Sequence, residues 1–223
     1  MSADDQDHTP FRVEFTFRTA LIEPAVEKPL DAVLSWAAVM RADFNGADDP
    51  IAQQHDLPLQ RHYAGEQWCF MASNIIFEWN KAAPRESVHY VKRSRLEDYA
   101  DAWVDGLLSK RPAFDGARGL TKAGSYVEPT RWADRAIAYG VGNIDAIRAL
   151  LPWVTHIGKL RHKDFGAVKS FTVTQDDANA KYWTRRTLPQ ASPEATSHVA
   201  AMKCLSAPYW NRERMVPALA FAE

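Results

Sequence analysis

The 223-residue sequence predicts an α+β fold in which two helices cover one face of an antiparallel sheet. Residues 11–18 alternate strictly between apolar and polar, which is typical of a half-buried strand. Apolar residues recur at helical spacing over Leu30–Met40 and over Ile144–Leu151. Short aromatic and β-branched stretches, typical of strands, lie between and after these two segments.

The elements of the first half follow from local patterns. Asp31 complements the positive end of the first helix, and Trp36 lies on its apolar face, so we expect this ring in the core. Glycines and prolines interrupt residues 43–66, which we predict to be a loop. Trp68–Trp79 is predicted to form one strand, and Val88–Val91 a short second one.

In the second half, Glu97–Leu108 has helical periodicity. Ala133–Tyr139 is interpreted as a strand, followed by Asn143 as the N-cap of the second helix. Ala167–Thr174 is the last predicted strand of the core. The C-terminal residues are predicted to be mostly loop, with one helix near His198–Leu205.

Strand, helix, strands, helix, strand is the order of a ferredoxin-like, or RNA-recognition-motif-like, fold. We therefore expect residues 1–10 to be a flexible arm and residues 11–174 to form this core. Residues 109–131 would be a thumb-like insertion, because nothing there repeats with helical or strand period. Residues 175–223 would be a loop-rich extension packed on the core.

Composition and motifs limit the function. The chain is 46% hydrophobic, has two cysteines, and shows no apolar run of about 20 residues and no signal peptide, so we expect a cytoplasmic protein with no membrane partner. It contains no GxxxxGK[ST], GxSxG, HExxH or CxxC motif, and its seven histidines lack the spacing of metal ligands. We expect no cofactor, no metal and no catalytic residue.

Charge is segregated along the chain. The formal net charge is −8 over residues 1–80, +2 over 81–147 and +5 over 148–223. Such asymmetry indicates one face for an acidic partner such as nucleic acid and another for a protein neighbour. Alternatively, folding mixes the three parts into a neutral surface.

The sharpest local feature is the sequence GKLRHKDFG at residues 158–166, which we call the basic loop. Glycines let the backbone turn tightly and present N–H groups to a phosphate, and cations neutralise its charge. The candidate phosphate-binding residues are Gly158, Lys159, Arg161, His162, Lys163 and Gly166. A solvated turn with incidental charges is the alternative.

Residues 109–131 mix cations with aromatic rings, a combination that holds single-stranded nucleic acid. The candidates for RNA contact in this stretch are Lys110, Arg111, Arg118, Lys122, Tyr126 and Arg131, with Tyr126 as the stacking residue. A long loop whose aromatic residues pack into the core is the alternative here.

Three blocks of the sequence, FRVEFTF, PLDAVLSWAAV and GNIDAIRALL with the following IGKLRHKDFGAVKSFTV, resemble the RAMP superfamily of CRISPR-associated proteins. Those proteins have ferredoxin-like cores and a glycine-rich loop after the last helix, with a basic residue and a Gly-aromatic-Gly ending. Lys159 and Arg161 match the basic positions, and Phe165 and Gly166 match the end of the motif. Asp164 stands in place of the first glycine.

Within the superfamily the chain is most similar to the small type IV subunit that caps the 5′ handle of the crRNA. The resemblance implies a non-catalytic crRNA-binding protein that contacts the backbone and large subunits of an effector complex and meets target DNA indirectly. Residues 109–131 would be the thumb that engages RNA. One alternative is a crRNA-processing endonuclease using His62 or His89 as its base. Another is a cytosolic enzyme or scaffold that binds a phosphorylated small molecule.

Overall fold

The computed structural model describes residues 8–23, 28–92, 124–209 and 211–222. The helices within these residues are α1 (Leu30–Phe44) and α2 (Ile144–Leu150). The strands are, in chain order, β1 (Thr9–Phe17), β2 (Leu21–Ile22), β3 (Arg61–Ala64), β4 (Gln67–Phe70), β5 (Ile76–Trp79), β6 (Glu86–Lys92), β7 (Gly124–Arg131), β8 (Ala133–Gly142), β9 (Val168–Gln175), β10 (Leu188–Pro189), β11 (His198–Lys203) and β12 (Val216–Phe221).

The chain forms two compact units. The main unit runs to Ala83 and resumes at Arg131, and the second unit is Pro84–Thr130. In the second unit β6 pairs antiparallel with β7. The prediction of irregular structure over 109–131 is therefore wrong for the residues of β7. Most β7 side chains are exposed or half-buried, so this strand lacks the apolar alternation by which a sequence pattern identifies a strand.

The main unit is built on a four-stranded sheet in the order β5–β8–β1–β9, in which all neighbouring strands are antiparallel. The predicted alternation of β1 is confirmed, because Phe11, Val13 and Phe15 are buried while the residues between them are half-exposed. The strand begins at Thr9, two residues before the predicted core, since Thr9 and Pro10 already pair with β8.

Both helices contribute to the core of this sheet. Leu34 and Ala37 of α1 and Ile147 and Leu150 of α2 are buried in one cluster with the phenylalanines of β1. The predicted cap of α2 is confirmed, because the Asn143 side chain accepts a hydrogen bond from the Ala146 N–H at 2.9 Å. The architecture is α+β with mostly antiparallel sheets, and it is consistent with a ferredoxin-like fold.

The prediction of one strand over Trp68–Trp79 is wrong. β4 pairs with β3 in a hairpin, whereas β5 pairs with β8 at the edge of the central sheet. Between them, Ala72 forms a bridge with Gly140 and Asn74 forms one with Pro29. The residues of β3 were predicted to be loop, because a short polar strand has no apolar alternation to distinguish it.

The C-terminal part contains a three-stranded antiparallel sheet in the order β10–β12–β11, so the predicted helix near His198–Leu205 is wrong. The sequence HVAAMK suits either structure, and pairing with β12 decides in favour of a strand. A second core cluster, which includes Cys69, Trp183 and Leu188, lies beneath this part of the chain. The predicted helix Glu97–Leu108 lies outside the described residues.

Candidate nucleic-acid interface

The basic loop lies between α2 and β9, as predicted, and its backbone is folded back on itself. Ile157 donates its N–H to the Gly166 carbonyl at 2.9 Å, which closes the loop at its base. At its tip, Arg161–Lys163 form a 3-10 turn flanked by Leu160 and Asp164, both in the left-handed region at φ 53° and φ 64°. Few residues other than glycine adopt that region without strain. The backbone of this loop is therefore held in one defined conformation and is not an open turn.

Gly166 has a structural role in this loop. Its φ is +69°, and a Cβ at this position would collide with the Ile157 carbonyl oxygen. The Gly166 N–H donates to the Ala20 carbonyl oxygen at 2.8 Å. The expectation that this N–H faces a phosphate is therefore wrong, because it already has a partner within the fold. Gly158, at φ +113°, lines a cleft beside the loop.

Asp164 occupies the glycine position of the RAMP motif with a glycine-like backbone, which aspartate tolerates better than most residues. Its carboxylate lies 3.0 Å from His156 Nε2 and 3.6 Å from the Arg18 guanidinium. The hydrogen bond to His156 and the charge of Arg18 lower the pKa of Asp164. Thr19 also donates its hydroxyl to the Asp164 carbonyl at 2.6 Å. Asp164 therefore braces the loop against the segment that follows β1.

Lys28 lies close to two cations of the basic loop. Burial, together with the positive charges of Lys159 and Arg161, lowers the pKa of Lys28. Burial also lowers the pKa of Arg161, whose guanidinium lies 4.5 Å from the centre of the Trp36 ring. Arginine remains charged in proteins, so the group forms a concentrated positive field beside an aromatic surface.

Trp36 and Lys28 are the residues of this group that sequence reasoning missed. The prediction that Trp36 lies in the core is wrong, since 45% of it is exposed and its ring contacts Arg161. Helical spacing places Trp36 beside the apolar stripe of α1, which is why it was assigned to the core. Lys28 stands alone in the sequence, so no local pattern connects it with a loop 130 residues further along.

A cleft of about 720 Å³ lies beside the basic loop in the main unit. Its lining includes Ala32, Val33 and Val39, which are half-buried residues of α1, together with residues of the basic loop and of the C-terminal part. Lys28 and Arg161 both line it. Clefts of this size hold small ligands or single building blocks of a polymer.

A buried ion pair adjoins the cleft, since Arg186 is one of the lining residues. Arg186 is 1% exposed and donates to Asp31 at 2.9 Å and to the Tyr209 hydroxyl at 2.8 Å. The Tyr209 hydroxyl in turn donates to the other Asp31 oxygen. Burial would lower the pKa of Arg186, but the negative charge of Asp31 raises it above its ordinary value. The trio joins α1 to the C-terminal part, and both of these line the cleft.

The other predicted site residues are distributed more widely. His162 and Lys163 are exposed on the 3-10 turn of the basic loop. Tyr126 lies in the second unit, stacked on Tyr90 at 5.3 Å. Arg131 is 5.1 Å from the centre of the Trp79 ring in the main unit. Lys110, Arg111, Arg118 and Lys122 lie outside the described residues, so their convergence with the basic loop stays a prediction.

The two histidines considered as catalytic bases have different surroundings. His62 Nε2 lies 3.0 Å from the Ser192 hydroxyl and 3.2 Å from Glu194, and its ring contacts Trp183. His89, in the second unit, shares a hydrogen bond with Ser125. Neither lines the cleft beside the basic loop. In the part of the chain that the structure describes, no three His, Cys, Asp or Glu side chains are grouped to hold a metal ion.

Comparison with known proteins identifies the family of the chain. The family model described as CRISPR type IV associated protein Csf3 matches residues 9–221. The chain belongs to the Csf3 family. Csf3 is a RAMP-like type IV subunit, so the resemblance seen in the sequence is confirmed, and the chain is a subunit of a type IV CRISPR complex. No curated protein sequence matches the chain. No helix among the described residues is long and apolar enough to cross a membrane.

Proposed function

We propose that this Csf3 chain is a non-catalytic RNA-binding subunit that holds the 5′ handle of the crRNA. The observation that carries the proposal is that Lys28 and Arg161 line one cleft together with the exposed Trp36 ring, and that Lys159 is close enough to lower the pKa of Lys28. A phosphate backbone is attracted to such a group of positive charges. An aromatic ring next to the cations adds a stacking surface for an unpaired base.

The family supports the choice of RNA, because CRISPR effector complexes recognise their targets by base pairing with a guide RNA. In this proposal the backbone and large subunits are the protein partners, and acidic residues of the N-terminal third that lie outside the cleft face one of them. Target DNA is met indirectly, since sequence recognition belongs to base pairing with the guide.

The test is the salt dependence of handle binding, measured by fluorescence anisotropy with the full chain. Each phosphate contact to a single strand contributes about 0.7 to the slope of log affinity against log salt, so Lys159→Ala with Arg161→Ala should reduce the slope by about 1.4. Two charge-assisted contacts at about 1.5 kcal/mol each correspond to a roughly 100-fold loss of affinity.

The matched control removes two exposed lysines elsewhere, Lys169→Ala with Lys181→Ala, and changes the net charge equally. Equal salt slopes for the two double variants would show that the basic loop is not part of the RNA site. Failure of the unaltered chain to bind RNA at about 50 mM salt would overturn the proposal and favour a small phosphorylated ligand. Cleavage of repeat RNA in chelator would overturn the non-catalytic assignment.

A further inference from the structure

We propose that the cleft beside α1 receives one unstacked nucleobase of the bound RNA, while the phosphates next to that base lie on Lys28, Lys159 and Arg161. This inference rests on the proposed function and deepens it. It concerns a different chemistry, because the loop cations bind any phosphate whereas the cleft selects a flat, largely apolar group.

The interior of the cleft suits a base. The α1 residues that line it are mostly apolar and include Ala32, Val33 and Val39, and Trp36 lines it with 45% of its surface exposed. The Arg161 guanidinium, 4.5 Å from that ring, offers a second planar surface. Unpaired bases of RNA stack on both aromatic rings and guanidinium planes.

The charge of the cleft suits a nucleotide rather than a neutral ligand. The charged side chains lining it are Lys28, Arg161, Lys203 and the buried Arg186, and the described residues of the lining include no aspartate or glutamate. Since Arg186 is paired with Asp31, the remaining three cations give a positive charge to a largely apolar lining. An anionic group joined to a flat ring matches both features.

Polar groups suited to the edge of a base are also present. The side-chain amides of Gln54 and Asn74 belong to lining residues, and each amide can donate and accept hydrogen bonds. Such groups give a binding pocket its specificity, whereas the apolar wall supplies contact area. We therefore expect one position of the handle to contribute much more to affinity than its neighbours.

The experiment is an abasic scan of a handle RNA on the full chain, measured by anisotropy. In the unaltered protein, removing the base at one position should weaken binding at least about tenfold, and removing the others should have small effects. Ala32→Phe, which fills the cleft and leaves the cations in place, should weaken binding of intact RNA to a similar extent without changing the salt slope. It should also abolish the effect of the sensitive abasic position. Ala42→Phe, on the same helix but outside the lining, is the matched control.

The outcomes separate this inference from the proposed function. RNA binding with the expected salt slope but with equal effects at all abasic positions would overturn the base pocket and leave the phosphate site standing. Equal RNA affinities of Ala32→Phe and Ala42→Phe would overturn the base pocket as well. An unaltered protein that binds no RNA would overturn both. The scan on the unaltered chain needs no variant, so misfolding of Ala32→Phe leaves the inference testable.

Discussion

Replacing Arg186 by methionine should strongly destabilise the main unit, because this side chain is the centre of a buried polar network. It is 1% exposed, and it donates to Asp31, to Tyr209 and to the Leu205 carbonyl, the last at 2.9 Å. It also donates to the carbonyl of Phe70 at 2.9 Å. Methionine fills part of the space but donates no hydrogen bond.

The expected loss follows from these contacts. Removing one partner of a buried ion pair costs about 3–5 kcal/mol, and each buried acceptor left unsatisfied adds about 1–3 kcal/mol. The unfolding free energy of a domain is only about 5–15 kcal/mol, so Arg186→Met should lose at least about 4 kcal/mol and approach instability at neutral pH. Urea denaturation followed by tryptophan fluorescence measures the loss.

The pH dependence gives a sharper test. Burial raises the pKa of Asp31, and removing Arg186 takes away the nearest positive charge that opposes this shift. When the folded-state pKa of a carboxyl group lies above its unfolded value of about 3.9, its contribution to the unfolding free energy is fully present below the unfolded pKa. That contribution is lost as pH rises through the folded-state pKa. The difference in unfolding free energy between the unaltered protein and Arg186→Met should therefore be smaller in acid than at neutral pH.

Arg185→Met is the matched control, because Arg185 is half-exposed and its guanidinium lies over the Tyr182 ring at 4.1 Å. It should lose no more than about 1 kcal/mol, the range of an exposed cation–π contact. Equal losses for the two methionine variants, or a deficit of Arg186→Met that grows in acid, would refute the reasoning.

Three further outcomes follow from local geometry. Gly166→Ala should cost more than Gly65→Ala in urea denaturation. Both have positive φ, at a cost of about 1–2 kcal/mol, but only Gly166 meets a carbonyl, that of Ile157. Asn143→Ala should lose about 1 kcal/mol of unfolding free energy through the missing cap of α2, and Asn143→Asp should restore most of it. Burial raises the pKa of Cys69 to about 11, so its thiol should react with a thiol reagent near neutral pH only as fast as the protein unfolds; rapid labelling of the folded protein would contradict its burial.

Local sequence signals predicted the parts of the fold that local physics determines. The alternation of β1 and the cap at Asn143 were both correct, since each depends on residues within a few positions of one another. The strands β3 and β11 were not recognised, because their residues suit several conformations and only pairing with a distant segment decides among them.

The candidate site shows the same division. The basic loop could be predicted because its cations lie within a few residues of one another in the sequence. Lys28 could not be predicted, because only the fold brings it close to Lys159 and Arg161. The role of Gly166 was misassigned for a related reason. A sequence shows that a glycine allows a tight turn, but the partner of its N–H, the Ala20 carbonyl, is set by the tertiary structure.

The lowered pKa of Lys28 links the cation cluster to a measurable property of RNA binding. Burial and the charges of Lys159 and Arg161 favour loss of its proton, whereas a bound phosphate backbone favours the charged form. Binding must therefore take up a proton when Lys28 is partly neutral, and handle affinity must fall as pH rises through its lowered pKa. Lys28→Arg, which stays charged, should bind without this alkaline loss, and Lys28→Met should bind weakly at every pH. Parallel pH profiles for the unaltered protein and Lys28→Arg would show that Lys28 does not face the RNA.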